Sequence, residues 1–342
     1  MCIFLANSLY FKDLNNQILE KLNTLIFDNK DNAVSNFGDL VTFFSGAVRG
    51  TFSFTTLPEL NLVINHQDIA KIYSDKKNKQ RNYVPANLEI NSLVKPITLK
   101  AKVRAKGDRE LHWEDITSMS FRVNLKGIDR FEGLEEFSIQ RPIIRNYIWE
   151  YLTAEIFNEN KLLTLKTIPI KFYVNGDYRG VYSLEEVPSK VTIESQKRKN
   201  GPIFGLDEEV GSTIDSVLDP YDVREWQATD ILAYSSSVLY GEFSNALEDE
   251  KFSEVNFDMD EFAKYFALSD LFRSYHGTVP KSLKFYFNPV IGKFQPLLFD
   301  AHVGVGKFSN FLLLDFKTKE RPNCDWICVH KNFYQGFLNN PL

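Results

Sequence analysis

Charged residues recur inside segments that otherwise look like buried strands, and this feature constrains the fold more than any other in the chain. In Ser-Phe-Arg-Val-Asn-Leu (120–125), apolar residues alternate with Arg122 and Asn124. A period of two is typical of a strand with one buried face. A buried charge is costly unless it is paired or serves a ligand. We therefore expect strands whose charged face meets either a partner charge or a ligand.

The same alternation predicts further strands and one tight hairpin. The Asn-Gly pair at 175–176 predicts the hairpin, because both of its positions accept positive φ. The predicted strands cover 47–54, 60–64, 97–104, 120–125, 168–174, 178–184, 283–287 and 293–299.

Apolar residues at helical spacing predict helices over 14–27, 68–73, 143–158, 225–247 and 258–274. Pro142 stands where the third of these can begin. The order of elements predicts an α+β fold with a helical or loop-like extension at 1–45. A β-rich lobe with one inserted helix then covers 46–200, and a mainly helical lobe covers 201–342.

Composition sets broad limits on function. The 342 residues suffice for two lobes, and a net charge of −5 argues against nonspecific nucleic-acid binding. No apolar run reaches the roughly 18–20 residues of a membrane span. We expect a soluble chain, with a cytoplasmic location favoured. A fragment of a longer protein is one interpretation of its C-terminal sequence.

Cys324, Cys328 and His330 lie close together in the sequence, but the lack of a fourth ligand favours buried thiols over a zinc site.

Five motifs follow one another along the chain. They are Arg-Ala-Lys-Gly-Asp (104–108), Ser-Phe-Arg-Val-Asn-Leu-Lys-Gly (120–127), Phe-Ser-Ile-Gln-Arg-Pro (137–142), Arg-Asn-Tyr (145–147) and Val-Asn-Gly-Asp-Tyr-Arg-Gly-Val-Tyr-Ser-Leu-Glu-Glu (174–186). Taken in this order, they resemble the CotH kinase family, the spore coat protein H relatives that are atypical protein kinases. The resemblance implies a kinase-like fold with a β-rich N-lobe, a mainly helical C-lobe, and ATP and Mg²⁺ bound between them. It also implies phosphoryl transfer to a protein Ser or Thr, or to another hydroxyl acceptor.

The resemblance assigns the metal to Asp300, which follows Phe-Gln-Pro-Leu-Leu-Phe (294–299). A carboxylate at the exit of an apolar strand suits Mg²⁺. The alternative is a carboxylate that only caps the strand end.

The resemblance also places a catalytic loop between the helix ending near residue 274 and the strand starting at 283. His276 stands where kinase-active relatives carry an aspartate, and Ser282 where they carry an asparagine. Histidine can act as a base. The alternative interpretation of His276 is a structural histidine.

The phosphate-contacting cation has several candidates. The family's lysine position corresponds to Ser118, so Arg122 is the nearest substitute and Lys106 the next. Arginine binds phosphate in a fork. Glu150 is the expected partner of Arg122. The alternatives are an ion pair of Arg122 across the sheet and a surface position for Glu150.

Two arginines flank Pro142 at a predicted helix start, where an anion binds well. These are Arg141 and Arg145, whose alternative role is pairing with Glu135 or Glu136.

The remaining candidates belong to the lobe junction and to a turn. Glu185, Glu186 and Lys190 are expected near the nucleotide base, or else form a hinge ion pair. Gly107 and Asp108 are expected in a tight turn over the phosphates.

Three functions therefore compete. The first is ATP- and Mg²⁺-dependent phosphoryl transfer. The second is a pseudokinase that acts as a binding or assembly module, which the altered residues Ser118, His276 and Ser282 favour. The third is binding of an anionic polymer by the Arg and Lys clusters.

Overall fold

The computed structural model describes residues 57–78, 80–91, 96–107, 110–206, 218–221, 223–226, 228–249, 252–278, 282–301 and 337. They belong to one compact unit, Leu57–Leu342. The predicted elements at 14–27 and 47–54 lie outside the described residues. So do Asp108 and the group formed by Cys324, Cys328 and His330.

A closed barrel of seven strands forms within the described residues, in the order β1-β2-β3-β4-β5-β8-β7. Neighbouring strands are antiparallel, except that β1 pairs in parallel with β7 and so closes the barrel. Its strands are β1 (Glu59–Val63), β2 (Val84–Asn91), β3 (Ile97–Ala105), β4 (Phe121–Leu125), β5 (Glu136–Gln140), β7 (Thr167–Val174) and β8 (Asp177–Glu186).

The alternating sequence explains the barrel interior. On β3, Ala101, Val103 and Ala105 are buried, while the intervening residues face outward. The β7–β8 hairpin turns at Asn175 and Gly176, with φ of 52° and 86°, as the Asn-Gly pair predicts. The Asn175 amide also bonds the backbone of Ile64 at 2.8 and 2.9 Å, which ties the turn to the end of β1.

A second sheet has five strands among the described residues, in the order β10-β9-β11-β12-β6. The strands are β6 (Leu163–Thr164), β9 (Ile203–Leu206), β10 (Leu218–Pro220), β11 (Lys284–Asn288) and β12 (Lys293–Leu298). Helices accompany both sheets: α1 (His66–Lys77), α2 (Trp149–Glu159), α3 (Lys190–Ser195), α4 (Val223–Trp226), α5 (Asp230–Asp249) and α6 (Met259–Leu271).

An aromatic core packs the second sheet against its helices. Phe257, Phe262 and Tyr265 from the α6 region meet Phe285 and Phe294 of β11 and β12, all of them buried. The mixed α+β class is therefore confirmed. The second sheet contains more strands than the sequence predicts, because β6, β9 and β10 are too short to show a period.

The helix predicted over 143–158 is interrupted. A 3₁₀ turn, Pro142–Arg145, is followed by Asn146 and Tyr147 with φ of 48° and 64°, and α2 begins only at Trp149. The buried contacts of Arg145 override the helical propensity of this segment.

The helix predicted over 225–247 is also divided, into α4 and α5. Thr229 marks the break, since its N–H and its hydroxyl both donate to the Trp226 carbonyl, at 3.0 and 3.1 Å. A threonine that bonds nearby backbone in this way competes with a continuous helix.

Candidate functional site

Five charged or titratable side chains converge where the barrel meets the second sheet. Arg145 ends the 3₁₀ turn after β5, Glu185 lies near the end of β8, and Glu150 lies in the first turn of α2. Asp300 follows β12, and His276 lies in the 3₁₀ turn Tyr275–Thr278. We call these five residues the Arg145 cluster.

Arg145 is the centre of the cluster. Its Nε and Nη2 donate to the two carboxylate oxygens of Glu185 at 2.6 and 2.9 Å, and Nη1 donates to Oδ1 of Asp300. The side chains of Arg145 and Glu185 are each only 4% exposed. Gln140 adds an amide donor to Glu185 at 3.1 Å. A two-point pair of this kind fixes the plane of the guanidinium as well as its position.

Glu150 is a second carboxylate beside Arg145. Its Oε2 lies 2.9 Å from Arg145 Nε, but that N–H is directed to Glu185, so Oε2 accepts no hydrogen bond from the described residues. The backbone N–H of Ala301 donates to Glu150. Burial raises the pKa of Glu150 to about 7, against the opposing effect of Arg145 and with a further rise from Glu185.

Asp300 and His276 form the other side of the cluster. Oδ2 of Asp300 lies 2.8 Å from Nδ1 of His276, and the Ser282 hydroxyl lies 3.3 Å from the same nitrogen. His276 and Ser282 are both buried. The turn that carries His276 is held by Tyr265, whose hydroxyl donates to the Gly277 carbonyl at 2.7 Å.

Arg122 lies apart from this network. Its guanidinium is 3.8 Å from Glu136 on the neighbouring strand, an ion pair across the sheet. Burial lowers the pKa of Arg122, and Glu136 partly offsets that effect. Glu150, expected to pair with Arg122, contacts Arg145 instead. Ser118 hydrogen-bonds Asp115 at 3.1 Å in the loop before β4.

Arg141 and Arg145 have separate partners despite their proximity in sequence. Arg141 pairs with Glu114 at 2.8 Å and donates to the Leu111 carbonyl. Neither arginine pairs with Glu135 or Glu136, because Arg145 turns inward to three other carboxylates. Only Arg145 therefore enters the cluster.

Two of the junction candidates, Glu186 and Lys190, make other contacts. Glu186 accepts from the Lys166 backbone at 2.9 Å and from the Thr192 hydroxyl at 2.8 Å. Lys190 lies 3.4 Å from Glu225. Both residues thus support α3 and its surroundings. Lys106, by contrast, is close enough for its charge to lower the pKa of Glu150.

Lys284 is a charged residue at the site that the sequence analysis missed. It is buried on β11, with Nζ 5.7 Å from the ring centroid of Tyr221 and 5.1 Å from that of Phe299. Gly205 leaves room for it, since a Cβ there would lie 2.8 Å from Nζ. The signal was present, because Lys284 interrupts an apolar strand just as Arg122 does.

Comparison with known families identifies the chain. A family model described as CotH kinase protein matches residues 103–339, a span that includes every member of the Arg145 cluster. The chain belongs to the CotH kinase family. No curated protein matches this CotH-family chain. Across the described residues, no helix combines the length and apolar character needed to cross a bilayer.

Proposed function

We propose that this CotH-family chain binds ATP with Mg²⁺ at the Arg145 cluster and transfers a phosphoryl group to a hydroxyl acceptor. The observation that carries the proposal is Arg145, which Glu185 holds on one side and which reaches Asp300 on the other. Kinase-like phosphoryl transfer needs a phosphate-contacting cation oriented by a glutamate, near the aspartate that holds the metal. Arg145 fits that role better than Arg122, which pairs instead with Glu136 across the sheet.

The charge balance of the cluster supports a cationic ligand. The guanidinium of Arg145 faces the carboxylates of Glu150, Glu185 and Asp300, and the charge of Lys106 also acts on Glu150. When all are ionised, the carboxylates outnumber these two cations, and an excess of negative charge is costly in a buried site. A divalent cation would offset it.

The residues present fit a magnesium site of the kinase type. Within the described ranges, no group of three or more His, Cys, Asp and Glu side chains is arranged to hold a metal ion. Mg²⁺ at phosphoryl-transfer sites, however, takes only one or two carboxylates, with phosphates and water completing its shell. Asp300 supplies such a carboxylate. Two buried acceptors, Oε1 of Gln140 and Oε2 of Glu150, have no hydrogen-bond partner among the described residues and suit bound water.

The residues of the chain then divide the work. Arg145 presents its guanidinium to phosphate oxygens, and Glu185 keeps the guanidinium in plane. When Nδ1 of His276 carries the proton shared with Asp300, Nε2 is the basic nitrogen, in the position where relatives carry an aspartate. Mg²⁺, when bound, neutralises charge on the phosphates.

A second candidate function is that of a pseudokinase, which binds nucleotide without transferring phosphate. One observation favours it: His276 is buried, with Nδ1 facing both Asp300 and Ser282. A histidine held in this way can serve the fold alone.

Thermal unfolding with ATP and Mg²⁺ tests nucleotide binding. At about 100 times its Kd, a ligand that binds only the folded state stabilises it by about 2.7 kcal/mol. We expect an upward shift in the wild type that is lost in Asp300→Asn and without Mg²⁺. Asp177→Asn is the control, because Asp177 is 80% exposed and outside the cluster. The absence of any shift in the wild type would contradict the proposal.

Transfer of labelled γ-phosphate, to the chain itself or to added protein, separates the two candidates. Transfer by the wild type that His276→Gln abolishes, while the ATP-induced shift persists, supports an enzyme with His276 as base. A full ATP-induced shift without transfer supports the pseudokinase.

A further inference from the structure

A row of cations runs along the outer face of the barrel. Lys100, Lys102 and Arg104 alternate with buried residues on β3, so all three point outward. Arg122 and Lys126 point outward from β4 and the residue after it, beside Arg104 and Lys100 respectively. We call these five residues the basic stripe.

The stripe has little negative charge of its own. Lys100, Lys102, Arg104 and Lys126 have no carboxylate within 4.0 Å in the part of the chain that the structure describes, and Arg122 has Glu136 at 3.8 Å. Arg104 is paired directly with Arg122 across the two strands. Like charges directly opposite on a sheet are destabilising. This concentration of positive charge stands out in a chain whose net charge is −5.

The stripe leads toward the Arg145 cluster. Lys106 follows β3 directly, and its charge acts on Glu150. At the same end of the strand, Tyr221 raises the pKa of Arg122. Tyr221 in turn lies near Lys284 of the second sheet. From Lys100 to Lys106 the strand rises about 20 Å, at roughly 3.3 Å per residue.

The spacing fits an extended polypeptide. Cations on alternate residues of β3 are about 6.6 Å apart, which is also the spacing of side chains on one face of any extended chain. A peptide that lies over the sheet with acidic residues at alternate positions can therefore meet each cation in turn. Face-to-face packing of extended chains at about 10 Å leaves room for the long Lys and Arg side chains.

Nucleic acid fits this surface less well. Binding of single strands uses aromatic rings on which bases stack. The ring of Tyr83 lies within the stripe, but Lys102 and Arg104 already contact it, at 5.2 and 5.4 Å from the ring centroid. The negative charge on the rest of the chain also repels a long polyanion, whereas a short acidic segment is affected mainly by the local charge.

We propose that the basic stripe docks an extended acidic segment of a partner polypeptide, aligned with β3 and directed toward the Arg145 cluster. The docking does not depend on nucleotide binding. It gives the site a partner class, namely a protein with acidic residues at alternate positions.

Fluorescence anisotropy with a labelled eight-residue peptide of alternating Glu and Ser tests the proposal. Alternating Gln and Ser is the control peptide, and an oligothymidylate is the competing polyanion. The variant is Lys100→Glu with Lys102→Glu. Its matched control is Lys199→Glu with Lys264→Glu, which makes the same change of charge at exposed positions outside the barrel.

We expect the Glu peptide to bind, the Gln peptide not to bind, and the affinity to fall as salt rises. The stripe variant should lose at least tenfold in affinity and the control variant less than threefold, while the ATP-induced thermal shift of the stripe variant stays unchanged. Absence of Glu-peptide binding, equal losses in both variants, or tighter binding of oligothymidylate than of the Glu peptide would each overturn the proposal.

Discussion

The Arg145 cluster and the basic stripe of the same barrel carry unbalanced charge of opposite sign. In the cluster, one buried guanidinium is surrounded by three carboxylates. In the stripe, five cations share Glu136 as the one carboxylate within ion-pair distance among the described residues. The barrel thus separates an excess of negative charge at the junction with the second sheet from an excess of positive charge on its outer face.

Unbalanced charge has different consequences when it is buried and when it is exposed to solvent. Solvent screens most of the stripe, because Lys100, Lys102 and Lys126 are exposed, whereas the largely buried Arg122 relies on Glu136. The repulsion is therefore tolerable and acts mainly on the choice of partner. The cluster is buried, so its excess charge affects folding directly and is relieved by protonation or by a bound cation. The unbalanced charge of the cluster therefore acts on stability directly, whereas that of the stripe acts mainly on binding.

The largest expected effect comes from removing the cation of the cluster. Arg145→Met removes the cation shared by Glu150, Glu185 and Asp300, and breaking a buried pair in this way costs about 3–5 kcal/mol. Arg141→Met on the same turn removes a partly exposed pair with Glu114 and should cost about 1 kcal/mol or less. Urea denaturation of both variants measures the difference. Equal losses would show that burial does not distinguish the two arginines.

The next effect comes from removing a carboxylate of the cluster. The pKa of Glu150 is raised to about 7 in the folded state, mainly by burial. A raised carboxyl pKa means that the stability from this group is present at low pH and lost as pH rises from about 4.5 to about 7. Glu150→Gln removes that loss. The variant should gain on the wild type between pH 5 and pH 8, by on the order of 3 kcal/mol.

Unfolding free energies at pH 5 and pH 8 check this prediction. Glu159→Gln at the end of the same helix is a suitable control, because Glu159 is exposed and lies outside the cluster. A difference between Glu150→Gln and the wild type that is the same at both pH values would contradict the assignment of the titrating group.

The smallest effect comes from removing the carboxylate of the stripe. Glu136 accepts hydrogen bonds from Tyr83 and Asn124 at 3.3 and 3.2 Å and lies beside Arg122. Glu136→Gln should destabilise the fold by about 1 kcal/mol, and by less at high salt. Glu135→Gln, which breaks only an exposed pair with Arg130, should cost about 0.5 kcal/mol or less.

Thermal or urea denaturation at low and high salt distinguishes the two glutamates. Loss of a carboxylate thus has opposite signs in the two regions, stabilising the cluster at alkaline pH and destabilising the stripe. A gain of stability in Glu136→Gln would contradict the expectation that loss of a carboxylate has opposite effects in the two regions.

Sequence periodicity predicted five of the seven barrel strands, namely β1, β3, β4, β7 and β8. It missed β2 and β5, whose buried residues do not alternate regularly along the strand. It did not predict that the barrel closes, since the parallel contact between β1 and β7 joins segments about 110 residues apart. The helix expected over 143–158 failed for a related reason. Its break at Asn146 follows from contacts of Arg145 with Glu185 and Asp300, which no local pattern encodes.

The site was predicted in its members more than in its geometry. Arg145, Glu150, Glu185, His276 and Asp300 were all candidates, and the resemblance to the CotH family, more than any local pattern, pointed to them. Which cation meets which carboxylate depends on the relative position of two sheets, and Arg122 was therefore matched to the wrong partner. Lys284 was visible as a charge within an apolar strand and was overlooked.

The two left-handed residues after Arg145 form a break between its 3₁₀ turn and the helix α2. Asn146 and Tyr147 interrupt the ladder of i-to-i+4 hydrogen bonds, so Arg145 is not part of the rigid rod that α2 forms from Trp149 onward. A tilt of α2 can therefore displace Glu150 without rotating the guanidinium away from Glu185. A left-handed backbone conformation costs roughly 1–2 kcal/mol per residue, so the surrounding contacts hold this break in place despite its strain. Tyr147→Gly would relieve that strain and also make the backbone of this segment more flexible. The segment would then be more stable but less stiff.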